Sequence, residues 1–300
     1  MSRRRRGNAP GDPVGVCVID KPAGWTSHDV VAKLRGQLGT PRVGHAGTLD
    51  PMATGVLVIG VGPATRLLNL IMATTKVYEA EITFGQETDS LDADGEVTAT
   101  HDMTGLDPVA VVEAAKALTG DILQVPPMVS AIRVDGRRLH ELAREGIEVE
   151  RQARPVTVHR FDLRPTVDPL VWTATVECSS GTYVRTLSAD LGAALGGGAH
   201  LSALRRVAVG AFTIDEASTV EEPVLLEPAA GVRGLESVRV DEAVTDDVRH
   251  GRVMDLSALG VSGPGPWGVL NSDGDLLAVY ESFRDDSVKP AMVLSSQVAE

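Results

Sequence analysis

The chain is poor in cysteine, in aromatic residues and in long apolar runs. Its 300 residues include two Cys, three Trp, three Tyr and four Phe. Cys17 and Cys178 cannot build a disulfide framework or a Cys-rich zinc site, and each lies in an apolar run that favours a buried reduced thiol. No apolar run approaches the roughly 20 residues that a membrane helix needs. The basic start, Arg3 to Arg6, has no apolar segment close behind it and does not read as a secretory signal. The seven His show no metal-ligand spacing. Gly196-Gly197-Gly198 lacks the Lys-Ser/Thr of a P-loop and reads as a helix stop. These absences leave a soluble, cytoplasmic protein without a metal as the expectation.

What is present is ordinary globular composition, 43% hydrophobic and 23% charged, enough for one large domain or a large and a small one. A net charge of −13 disfavours a phosphate-rich partner if taken whole. The acidity is regional, however. Residues 1–66 carry nine Lys/Arg against four Asp/Glu, whereas residues 79–121 carry one against eleven and residues 211–300 six against seventeen. A locally basic face is therefore compatible with the total.

Residues 1–12 read as a flexible basic tail. A β-branched strand over 14–19 and a turn at Asp20 to Gly24 follow, and Thr26 with Asp29 has capping-box spacing ahead of a helix to Gly39. Residues 56–59 and the alternating 78–84 predict strands, as do 121–134, 155–164 and 170–178; 108–118 and 181–195 predict helices. Asp89 to Gly95 resembles a calcium loop, but Ser90 and His101 fall at its end positions, so it reads as an acidic β-turn. Strands and helices interleave without a βαβ repeat. The expected class is α+β, with a mixed, largely antiparallel sheet. A composition shift near 215–235 marks a linker or capping loop before a small β-rich module at 235–300, with a hairpin signal at Asp273-Gly274.

The segment Gly44-His45-Ala46-Gly47-Thr48-Leu49-Asp50-Pro51-Met52-Ala53-Thr54-Gly55 is unusual. It places three glycines, a His and an Asp in a loop between apolar elements, where catalytic groups concentrate. Asp50 before Pro51 is also an ordinary turn opener. This segment resembles the signature of the TruB family of tRNA pseudouridine synthases. Asp20 to Ser27 resembles the family's Lys-Pro motif, Lys76-Val77-Tyr78 its Lys-x-Tyr strand, and Gln124 to Pro127 with Ser130 to Arg138 its tRNA-gripping insertion. Cys178 to Arg185 is similar to the Tyr/Arg motif, and His200 to Gly210 to the Leu-Arg-Arg segment, all in family order over residues 14–212.

The resemblance implies a pseudouridine synthase domain over 13–225, with the insertion at about 124–154 and a PUA-like C-terminal module. It implies isomerisation of uridine 55 in the T-loop of tRNA, with no cofactor, metal or guide RNA. Asp50 would be the nucleophile, a role that needs no metal. Arg185 would hold it ionised and aimed. Tyr78 would stack on the target uracil and Tyr183 would take the C5 proton. His45 would contact the flipped nucleotide or its vacated stack, and Leu204 would line the pocket. Lys21 and Pro22 would shape the site. Arg133, Arg137, Arg138, Arg144, Arg205 and Arg206 are candidates for tRNA phosphates. The expected partner is the T-arm stem-loop, bound by a monomer and away from any membrane. Val129 departs from the family pattern, where a tyrosine precedes Ser-Ala.

Three competing readings fit less well. A guide-dependent synthase would not need the long insertion, and a tRNA chaperone would not need the intact Asp50, Tyr78, Tyr183 and Arg185 set. A glycosidase of free nucleosides would have no use for the basic insertion.

Overall fold

The computed structural model describes residues 11–130, 132–134 and 136–294. The Arg3–Arg6 tail lies outside the described residues. Strand β1 (Gly15–Lys21) leads into helix α1 (Ser27–Gln37), whose start is the expected capping box: the Thr26 hydroxyl accepts from the Asp29 amide, and the Asp29 carboxylate accepts from the Thr26 amide at 2.9 Å. Short β2 (Val43–His45) and long β3 (Thr54–Val61) flank the motif loop. Helix α2 (Leu68–Met72) turns the chain into β4 (Lys76–Phe84), which alternates between its two faces as the sequence predicts.

The hairpin of β5 (Gln86–Thr88) and β6 (Val97–Thr100) precedes α3 (Pro108–Ala117), capped by Asp107. Strand β7 (Gly120–Gln124) is shorter than expected. The 121–134 strand ends at Gln124 because Pro126 and Pro127 have no amide hydrogen to give a ladder. The insertion then forms β8 (Arg133–Val134), β9 (Arg137–Arg138) and α4 (Leu139–Arg144). Strands β10 (Arg154–Pro165) and β11 (Val171–Cys178) bear out the next two predictions, and α5 (Val184–Ala194) leads to β12 (Ala199–Val209) and β13 (Phe212–Thr213).

The main sheet runs β1-β3-β12-β4-β11-β10-β7, with β2 and β13 added beside β3 and β12. Only the β12–β3 pairing in it is parallel, so the class is the expected mixed, largely antiparallel α+β. Helices α3 and α5 cover one side, where Tyr78, Ile82, Phe84, Trp172, Leu187 and Leu201 share a core.

The 215–235 stretch is a capping loop rather than a free linker. Ser218 and Leu226 exchange backbone hydrogen bonds with Val18, Asp20 and Val16, covering the outer edge of β1. The C-terminal module is a five-stranded sheet of β14 (Glu236–Arg239), β15 (Met254–Asp255), β16 (Trp267–Leu270), β17 (Leu276–Ser282) and β18 (Ser287–Val293), with α6 (Glu242–Arg249) and α7 (Leu256–Leu259). The turn signalled by Asp273-Gly274 joins β16 to β17, with Gly274 at φ +96°. The module is not separate in its packing. Leu276, Val279 and Leu294 join Val16, Val56 and Leu67 in one apolar cluster.

Candidate active site

The loop between β2 and β3 is held by polar groups buried beneath it. Ser27 is fully buried, and its hydroxyl accepts from the Leu49 amide at 2.9 Å and donates to the Leu49 carbonyl at 3.2 Å. The Lys21 ammonium donates to the carbonyls of Trp25 (2.6 Å), Pro22 (2.9 Å) and Pro51 (3.3 Å). Burial pulls the Lys21 pKa down to about 8, with Asp50 opposing. Ser27 and Lys21 therefore shape the loop on either side of Asp50. Gly55 closes it at φ +101°, where a Cβ would lie 2.2 Å from the Arg206 carbonyl oxygen, so only glycine fits.

Asp50 emerges from this frame with its side chain 37% exposed and 3.0 Å from Arg185 Nε. Arg185 itself is 3% exposed, on the first turn of α5. Its guanidinium also donates to the carbonyls of Ser90 and Val129, each at 2.8 Å, and pairs with Asp92 at 3.2 Å. Burial pushes the Asp50 carboxyl above the ordinary carboxylate range; Arg185 pulls it back, and the nearby Asp92 charge adds to the push. The geometry presents a partly exposed carboxylate held by a buried guanidinium whose other N–H groups bond Ser90, Val129 and Asp92.

Asp92 has no role in the sequence reading, which treats Asp89 to Gly95 as an acidic β-turn. It is indeed a turn, yet Asp92 is 5% exposed and points inward. Leu91 stands before it at φ +63°, a conformation costly for a residue with a Cβ. An apolar residue forced into a turn of acids was the available signal.

Tyr78 and Tyr183 flank the same place, both close enough to Asp50 to feel its charge. Burial raises both phenol pKa values, with Arg206 opposing at Tyr78 and a Ser130 hydrogen bond opposing at Tyr183. His45 ends β2 and meets His28 edge-on at 5.5 Å. Burial first, then His28 and Arg206, push its pKa down to about 4, so the imidazole is neutral at neutral pH. Leu204 pairs with Ala80 and packs on the cluster that holds Leu49 and Tyr78. Gln124 and Ser27 are buried polar residues that the sequence reading passed over inside motifs it had quoted.

The arginine candidates divide. Arg206 is corrected: it is 1% exposed, and its guanidinium donates to the carbonyls of Val56 (2.8 Å) and Gly47 (3.0 Å) under the loop. A guanidinium so enclosed cannot reach a phosphate. Arg205 is half-exposed and bidentate to Asp20, at 2.7 and 3.1 Å. Arg137 and Arg144 are exposed on the insertion, Arg137 pairing with Glu145 at 2.5 Å, and the Arg138 amide caps α4 through Glu141. The Arg133 side chain lies outside the described residues. Among the described residues no group of His, Cys, Asp or Glu is placed to hold a metal ion, and no helix is long and apolar enough to cross a membrane. Both thiols are buried, with pKa values raised to about 11.

Comparison with known proteins gives this site its relatives. The family model described as "TruB family pseudouridylate synthase (N terminal domain)" matches residues 35–184, and "tRNA pseudouridylate synthase B C-terminal domain" matches residues 185–227. The tRNA pseudouridine synthase B of Thermobifida fusca (strain YX) is 48% identical, covering 94% of this chain and 98% of its own. That of Arthrobacter sp. (strain FB24) is 47% identical over 94% of this chain and 96% of its own. The solved Cbf5-Nop10-Gar1 complex contains a chain with TM-score 0.72 and 24% identity, covering 94% of this chain and 85% of that one, a likeness of fold. On a family match to half the chain and relatives near half identical along almost all of it, this chain belongs to the TruB family and is a pseudouridine synthase.

Proposed function

We propose that this enzyme converts uridine 55 in the T-loop of tRNA to pseudouridine, with Asp50 as nucleophile and without cofactor or guide RNA. The observation that carries the reading is the Asp50 carboxyl, open on one side and held at 3.0 Å by a buried Arg185. The names of the relatives, tRNA pseudouridine synthase B, support the substrate class. Pseudouridine formation breaks N1–C1′ and makes C5–C1′, so no atom enters or leaves in the balance. An ionised Asp50 can start it by adding to C1′ or to C6, or by taking a proton toward a glycal; each route begins from the same carboxylate.

The target base must leave its stack, at a cost of a few kcal/mol. Stacking on Tyr78 returns about 1–3 kcal/mol of that cost. The raised Tyr183 pKa keeps its phenol protonated at neutral pH, so Tyr183 accepts the C5 proton only while its own hydrogen is passed on, and the Ser130 hydroxyl is the neighbour proposed to receive it. Arg137, Arg138 and Arg144 on the insertion are proposed for phosphates, with Arg133 on the adjoining strand; Arg205 joins them only if it leaves Asp20. The C-terminal sheet is proposed as a PUA-like module.

The test is pseudouridine formation in an unmodified tRNA transcript, with no metal or guide added, comparing wild type and Asp50→Asn and mapping the modified position. Product at the T-loop uridine from wild type alone is the expected result. Product from Asp50→Asn, or at another position, overturns the assignment.

A further inference from the structure

Tyr183 sits at an awkward place in the chain. It is the N-cap of α5, in extended conformation (φ −103°, ψ 108°), and its own side chain caps nothing. Its backbone amide needs a partner, because helix starts leave N–H groups unpaired, while its carbonyl accepts from the Leu187 amide at 3.1 Å and has a second lone pair to offer. One side chain bonds both groups. The Gln124 carboxamide oxygen accepts from the Tyr183 amide at 2.8 Å, and the Gln124 carboxamide nitrogen donates to the Tyr183 carbonyl at 3.1 Å.

Gln124 is the last residue of edge strand β7 and is 2% exposed, while its neighbours Leu123 and Val125 face solvent. The pairing asks for one donor and one acceptor, side by side and uncharged, which among side chains means a carboxamide. The same short segment makes two further contacts to this corner. Ser130 lies close enough to the Tyr183 phenol to lower its pKa, and the Val129 carbonyl accepts from Arg185 at 2.8 Å.

We infer that Gln124 is a positioning residue for Tyr183: its carboxamide fixes the peptide from which the Tyr183 ring is aimed at the reacting base. The inference rests on the proposed role of Tyr183. A shift of about 1 Å at such a group costs on the order of 100-fold in rate, so loss of the clamp should appear in the chemical step and not in tRNA affinity.

Gln124→Glu offers a readout that a packing role would not move. When ionised, the introduced carboxylate accepts from the Tyr183 amide but has no hydrogen for the carbonyl; when protonated, it regains both bonds. Single-turnover rates of bound tRNA transcript, taken as the ratio of Gln124→Glu to wild type, cancel the pH dependence of Asp50. The ratio should be down by about tenfold or more at about pH 8 and climb as pH falls, at unchanged tRNA affinity. A ratio flat with pH, or a loss confined to affinity, overturns the inference. Gln124→Met, near in size and unable to bond either group, covers the case in which Gln124→Glu does not fold. Slow turnover by folded Gln124→Met supports the clamp, and wild-type turnover overturns it. Tyr183→Phe separates the two proposals. Wild-type turnover there removes the Tyr183 role itself, whereas a slow Tyr183→Phe beside unaffected Gln124 variants removes the clamp alone.

Discussion

The loop at 44–55 and the insertion at 124–154 are both parts of a TruB-family enzyme, and they are built on opposite plans. The loop hides its cations. Lys21 and Arg206 are buried beneath it, and their N–H groups are spent on the carbonyls of Pro51, Gly47 and Val56. The insertion shows its cations, with Arg137 and Arg144 exposed on elements of two to six residues. The contrast teaches that basic residues close in sequence type can serve different ends. A buried guanidinium orders backbone, and an exposed one is free to meet an anion. Within one strand, Arg206 bonds backbone carbonyls, whereas its neighbour Arg205 is half-exposed and pairs with the Asp20 carboxylate.

The sharpest way to break the comparison is to remove the buried cation. Arg206→Met should leave two carbonyls without donors, each worth about 1–3 kcal/mol, and lower the melting temperature by about 5–15 °C. Calorimetry checks this, and an unchanged melt would mean that the loop does not depend on its buried frame. Ser27→Ala removes one clamp and should cost about 1–2 kcal/mol, with kcat falling more than tRNA affinity. The acid limb of the rate comes next. With Asp50 as the proposed nucleophile, the ionised form is the one that would attack, and burial raises its pKa, so turnover should fall with decreasing pH at values above the ordinary 3.8. In Asp92→Asn the neighbouring negative charge is gone, and the limb should move to lower pH. A limb that moves upward would assign Asp92 the opposite influence. The smallest effect on stability belongs to the insertion. Arg137→Ala with Arg144→Ala should change it by less than about 0.5 kcal/mol, yet weaken tRNA binding and lower its salt slope by about 1 per lost phosphate contact. An unaltered slope would remove these residues from the RNA-facing surface.

Much of this was legible in the sequence, and what was not has physical causes. The Thr26–Asp29 capping box and the alternation of β4 are local patterns, and they survive folding unchanged. Asp50 and Arg185, far apart in the chain, were paired only through the family resemblance. The burial of Arg206 was hidden because two bulges, between Leu201 and Ala203 and between Arg206 and Ala208, break the inward-outward alternation of β12. The helix expected from Gly181 starts at Val184, since Gly181 has φ +86° and Tyr183 is extended. Asp92 and Gln124 were missed for a common reason. Each is polar in a stretch that looks exposed, and only tertiary contact turns it inward.

The capping of β1 bears on how a ribosome-bound chain acquires this shape. Strand β1, the first among the described residues, has its outer edge covered by residues 218 and 226, and its apolar face shares a cluster with Leu276, Val279 and Leu294. Its full protection therefore waits for residues up to 294 to emerge. Contacts of such long sequence separation close slowly. During elongation Val16 and Val18 have only the nearer members of that cluster, such as Val56, Val58 and Leu67, to pack on, and a nascent chain stalled before residue 276 would lack the rest of their cover.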